Sequence, residues 1–177
     1  MKRFIHIMLS AVLLFSSFAF VLQASSVQAN EPLLLHFNTM TGVPKPYTGS
    51  ANPVRGIAGG GLPWVIGFAE GKLSASGMLD VKVHGLVFDP NDPDVIARGL
   101  ANMNTIPSFR AIVSCLSDDS SGNATTINLT TDPFPATIGL GAGNAHIKAN
   151  LNLPKPCIAP IVFITSPTGV WFAATGN

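Results

Sequence analysis

The stretch IGLGAGNAHIK at 138–148 sets glycines at 139, 141 and 143, a spacing that elsewhere cradles a phosphate. A dinucleotide fingerprint needs G-x-G-x-x-G between a strand and a helix, so that pyrophosphate meets the helix N-terminus. Here the sixth position is Asn144, proline breaks the preceding TDPFPAT, and the following residues alternate like a strand. Gly139, Gly141 and Gly143 therefore read as a turn. Gly59, Gly60 and Gly61 lack the Lys-Ser/Thr of a P-loop and read as a close approach beneath Trp64.

Four oxygen-bearing side chains in DPNDPD, namely Asp89, Asn91, Asp92 and Asp94, are of the type that binds calcium. The EF-hand spacing fails, because its glycine position is Asp94 and its final glutamate position is Leu100. Asp-Pro and Asn are also ordinary turn formers. Nucleophilic catalysis needs a Ser or Cys held against a base. There is no G-x-S-x-G elbow, and SDDSSG lacks a contiguous Asp-Ser/Thr-Gly. His84 and His146 alternate onto polar strand faces and read as solvated, whereas His36, in LLLHF, reads as partly buried. No catalytic residue and no cofactor is implied, and no metal beyond the calcium candidate.

Cys115 and Cys157 make an even count, which in an exported chain reads as a disulfide. Alternation in FRAIVSC sets Cys115 with Phe109, Ala111 and Val113, and Cys157 opens the apolar CIAPIVFI. Two buried thiols are the alternative. A zinc site lacks any CxxC or paired His nearby. What remains is aromatic: Tyr47, Trp64, Phe134 and Trp171 lie in or beside Pro/Gly-rich segments. Rings on loops bind sugars or partner surfaces, or else plug the ends of a sandwich. The binding reading takes Tyr47, Trp64 and Phe134 as the contact residues. It excludes the strand faces of Asn, Lys and His, which offer little apolar area.

The elements that must position these residues are strands. In NAHIKANLNL, Ala145, Ile147, Ala149, Leu151 and Leu153 alternate with Asn, His and Lys, so one face is dry and the other wet. Leu79, Val81, Val83 and Val87 repeat the pattern, with a hairpin turn at Ser76-Gly77. Further strands are expected at Leu33–Thr39, Trp64–Ala69, Phe109–Leu116, Ala124–Thr131, Ile158–Thr165 and Val170–Thr175. One helical turn is expected at Asp94–Leu100, capped by Asp94. Pro/Gly clusters such as GVPKPYTG, TDPFP and SPTG punctuate the strands. The fold class is all-β: an antiparallel sandwich of seven to eight strands of Ig-like or Greek-key type, with a barrel as the alternative. Residues 43–63 form a long stretch that either wraps the sandwich or carries function.

Lys2 and Arg3, an apolar run from Phe4 to Leu22, and small Val27 and Ala29 form the three parts of a secretory signal peptide. A retained anchor is the alternative, since the run is just long enough to span a bilayer. The expected organisation is therefore a signal peptide over 1–29 and one domain over 30–177, made of an N-terminal strand and Pro-rich wrap over 30–54 and a β-sandwich over 55–177. Of ten Lys and Arg, eight remain after residue 29 against nine Asp and Glu. With charge so sparse and no basic run, the counterion-release term that drives nucleic-acid binding is missing. Two sequons, Asn123 and Asn128, matter only in a glycosylating host.

The segments GGGLPWVIG, GKLSASGMLDVKVHGLV, FRAIVSCL and AHIKANLNLPKPCIAPIVFI resemble those of a group of uncharacterised secreted bacterial β-sandwich proteins. The resemblance spans about residues 55–177 and implies export, a paired cysteine and a sandwich, with no activity or catalytic residues. FNTMTGVPKP followed by the hairpin is faintly similar to CHRD-type domains, without the His-rich motif those carry after the hairpin. The reading that follows is a secreted, non-catalytic binding or structural module for an extracellular or envelope component. The alternatives are a small exported hydrolase with a site assembled from loops, or a surface subunit that assembles edge to edge.

Overall fold

Period-two alternation needs a partner sheet to cover its dry face, and the chain supplies two. A computed structural model describes residues 31–175; the expected signal peptide lies outside the described residues. The strands, in chain order, are β1 (Leu33–Phe37), β2 (Thr41–Gly42), β3 (Trp64–Val65), β4 (Phe68–Ser74), β5 (Met78–His84), β6 (Val87–Phe88), β7 (Met103–Asn104), β8 (Ser108–Asp118), β9 (Ala124–Thr130), β10 (Phe134–Pro135), β11 (Gly139–Leu140), β12 (Ala145–Asn150), β13 (Ile158–Thr165) and β14 (Trp171–Ala174). Eight of them are four residues or longer, the number expected. The first sheet runs β1-β4-β5-β12 and the second β10-β8-β13-β14-β2, with β9 also on β8. All these strand pairs are antiparallel and no sheet closes, so the architecture is a sandwich and the barrel alternative is set aside.

The dry faces meet as the patterns require. Leu79, Val81, Val83 and Ile147 from the first sheet, and Phe109, Ala111, Val113 and Cys115 from the second, are fully buried in one core. Cys115 and Cys157 are joined, with Cα atoms 4.9 Å apart. The bond ties β8 to the start of β13, whose Ile158 pairs with Leu116.

Residues 43–63 wrap. Ile112, Ser114, Phe163 and Thr165 face away from the first sheet, yet none is more than 6% exposed. The stretch supplies cover through Arg55, whose Nη2 reaches Ala159 O at 3.1 Å and whose carbonyl accepts from Asn128 Nδ2 at 3.0 Å, while Gly59 pairs in parallel with Trp171 and so runs along the free edge of β14. Residues 31–54 also contribute β1 to one sheet and β2 to the other, so they belong to the same compact unit as the rest.

The helical turn α1 (Pro93–Ala97) starts one residue before the expected Asp94. Its cap is Asp92, whose Oδ1 accepts from the N–H groups of Asp94 and Val95. Pro93 explains the shift, since proline suits the first helical position and needs a capping residue just before it. The hydrogen bond from Lys45 holds the Asp92 carboxyl below the usual aspartate range, with support from the capping N–H groups. A depressed carboxyl stabilises above its unfolded pKa and stops doing so as pH falls through the folded value. Asp92→Asn should therefore flatten the acid limb of stability against pH while leaving the helical turn in place. Urea midpoints measured from neutral pH downward check this.

Candidate functional site

The outer sides of the two sheets differ. The second is covered by residues 43–63, whereas the first is open and carries its polar residues in register. His36 on β1 faces Lys72 on β4, which faces Asp80 on β5, which faces Lys148 on β12. The next row is Glu70, Lys82 and His146, and the next is Phe68 beside His84. All three histidines beyond residue 30 thus stand on this one face. His36, expected to be partly buried, is exposed because Phe37 takes the inward position.

Within the rows the charges are paired. His146 Nε2 donates to Asp80 Oδ1 at 2.8 Å, and Lys148 Nζ lies 3.5 Å from Asp80 Oδ2. Partial burial pushes the Asp80 carboxyl up, but the His146 hydrogen bond and the Lys148 charge outweigh it and hold the group below the usual range. Lys82 Nζ donates to Glu70 Oε1 at 2.8 Å, which lowers the Glu70 carboxyl and raises the Lys82 ammonium. Such exposed pairs contribute little stability. Their effect is to fix the side chains in an ordered array of donors and acceptors. Two shallow depressions lie on the array. One of about 280 Å³ lies between His36, Lys72 and Asp80, and one of about 400 Å³ lies between Lys82, His84, Asn144 and His146. No hydroxyl or thiol is hydrogen-bonded to a histidine among the described residues, so the Asp80–His146 pair has no nucleophile in hand.

Phe68 gives this face apolar area. Its ring is 45% exposed, with its centroid 6.1 Å from that of His84. Alternation through a single strand Trp64–Ala69 would set Phe68 on the side of Trp64. The strand instead breaks at Ile66-Gly67, where Gly67 N–H is shared between the carbonyls of His84 and Gly85. The break reverses the parity, so Ala69 points inward and Phe68 outward.

The aromatic residues expected to make contacts are dispersed. Trp64 is 3% exposed and is withdrawn from the binding surface. Its ring is stacked on Phe172 with centroids 4.1 Å apart and lies 4.2 Å from Phe88. Gly60 lies close beneath it: a Cβ there would stand 3.0 Å from the Phe172 ring and 3.2 Å from Trp64 Nε1, so the rings would have to give by a few tenths of an ångström. Trp171 is buried against Phe163. Phe134, half-buried, pairs with Phe109 and packs on the core. Tyr47 alone is well exposed, at 44%.

The calcium candidates are otherwise engaged. Lys45 Nζ sits 2.8 Å from Asp92 Oδ2 and 2.7 Å from Asp94 Oδ2, so an ammonium occupies the point where those carboxylates converge. Asp89 Oδ1 accepts from Asn91 N–H, closing a turn. Among the described residues no three His, Cys, Asp or Glu are grouped to hold a metal ion. The glycine stretch is a turn whose N–H groups are spent within the protein: Gly141 donates to Asn102 O and Gly143 to Thr137 O. Gly143, at φ +80°, lies so close to the Leu86 backbone that a Cβ would overlap it.

No helix among the described residues is long and apolar enough to cross a membrane. The chain matches no family model, no curated protein and no solved structure.

Proposed function

We propose that the protein is an exported, non-catalytic binding module whose working surface is the open face of the first sheet. One observation carries this reading: residues 43–63 cover the outer side of the second sheet, while the first is left bare with an ordered polar array and an exposed ring. The disulfide supports an oxidising, extracytoplasmic setting. Together with the signal-like leader, it favours a partner outside the cytoplasm.

The chemistry of the face fits a polysaccharide of the envelope or extracellular space. Sugar hydroxyls both donate and accept, which matches rows that mix carboxylate, ammonium and imidazole. The C–H face of a sugar ring offers apolar area to Phe68, as aromatic side chains with a polar surround allow. A shallow sheet face also suits an extended polymer better than a small enclosed ligand.

The test is retention of the protein on its own cell-envelope fraction and on immobilised acidic and neutral polysaccharides. Phe68→Ala, His84→Ala and Lys82→Ala should each reduce retention several-fold, with far-UV spectrum and melting temperature unchanged. Tyr47→Ala should bind as the wild type does. Loss of retention in Tyr47→Ala alone would move the site to the loop, and failure of the wild type to bind any of these materials would overturn the reading.

A further inference from the structure

The two large sheets have five edges among the described residues, and four of these are guarded. Strand β1 carries a register shift between Leu33 and Leu35, β12 carries His146 and Lys148, and β2 and β10 are two residues long, β10 containing Pro135. Bulges, charges, shortness and proline are the devices that keep an edge from pairing with another chain. Strand β9 has none of them. Ala124–Thr130 is seven residues of ATTINLT, uncharged, free of proline and in unbroken register with β8.

Its free hydrogen-bonding groups can be named. Thr131 N–H donates to Ala111 O, and Asn123 O accepts from Asp119 N–H, so the odd-numbered residues of this segment direct their main-chain groups toward β8. The main-chain N–H and C=O groups of Ala124, Thr126, Asn128 and Thr130 therefore point outward, without a backbone partner among the described residues. Their side chains are exposed, while those of Thr125, Ile127 and Leu129 are half-buried on the core side.

We infer that β9 is a homodimer interface, pairing antiparallel with β9 of a second copy about a two-fold axis at Ile127. In that register residue i meets residue 254 − i, so even residues meet even ones. Thr126 and Asn128 then exchange both main-chain hydrogen bonds, as do Ala124 and Thr130, and the two second sheets become one. Thr125 meets Leu129 and Ile127 meets its own copy, which covers apolar side chains left half-exposed in the monomer. No charged pair is brought opposite a like charge within the strand, which is the usual obstacle to self-pairing. The closed two-fold arrangement also uses up both edges, so assembly stops at two.

Light scattering on protein expressed from the full chain should give a dimer. Thr126→Pro removes only an outward N–H, so it should yield a folded monomer; Thr126→Lys, which leaves the backbone intact, should do the same. Residues opposite each other at a non-hydrogen-bonded position have Cα atoms about 4.5 Å apart, within disulfide reach. Ile127→Cys should therefore cross-link between copies under oxidising conditions, and Ala124→Cys should not. A monomeric wild type, a dimer that survives both Thr126 substitutions, or equal cross-linking at both cysteine positions would overturn the proposal. None of these outcomes bears on polysaccharide retention, which is read separately on the other sheet.

Discussion

Replacing Trp64 with alanine is expected to destabilise the protein by about 3–5 kcal/mol, the usual range for emptying a buried aromatic site. The ring is 3% exposed and sits between Phe172 and Phe88, with Phe172 in turn edge-on to Phe109. Gly60 packs closely against it, and that glycine is held by its N–H bond to Trp171 O. The surroundings are thus poorly able to collapse into the gap, which favours the upper part of the range. Urea unfolding followed by tryptophan-independent circular dichroism measures the change. Tyr47→Ala, made alongside, should shift stability by no more than about 0.5 kcal/mol, as for exposed positions generally. Equal and small effects of the two would show that Trp64 is not a core residue.

Removing the Cys115–Cys157 bond has the other large expected effect. The bond closes a loop with a sequence separation of 42 residues, for which the chain-entropy model gives about 4 kcal/mol of stabilisation. Cys115 is fully buried, so Cys115→Ala loses some packing as well, whereas Cys157→Ala isolates the cross-link more cleanly. Unfolding midpoints with and without a reductant should differ strongly in the wild type and not at all in the double alanine variant. Unmodified thiols in the native, unreduced protein would refute the bond.

The strands and their faces were legible because alternation is a local property. Ile147 and Leu153 are buried while His146 and Lys148 are exposed, as the side-chain period of two requires. The cysteine pairing was legible for the same reason, each cysteine lying on or beside an apolar strand. The exposed face around Phe68 was not legible. Its parity depends on one interruption at Ile66-Gly67, and glycine followed by phenylalanine does not announce a strand break. Nor was the fate of Lys45 foreseeable: 47 and 49 residues separate it from the two aspartates it bridges, and no local pattern encodes that meeting. For Trp64 the sequence leaves open both a contact ring and a plug of the sandwich end, because the rings it meets, Phe88 and Phe172, stand 24 and 108 residues away and no local pattern encodes that meeting.

The pairing of β2 with β14 has a consequence for how the chain becomes a protein. Thr41–Gly42 meet Ala173–Ala174, so a strand from near the start of the described chain completes its sheet only on one from near its end. The β4–β5 hairpin can form as soon as it is made, because its partners are neighbours in sequence. The second sheet and the cover laid over it wait for almost the whole chain. A growing chain therefore holds Val43, Trp64 and Phe109 without their final neighbours, in a state vulnerable to aggregation until β14 arrives.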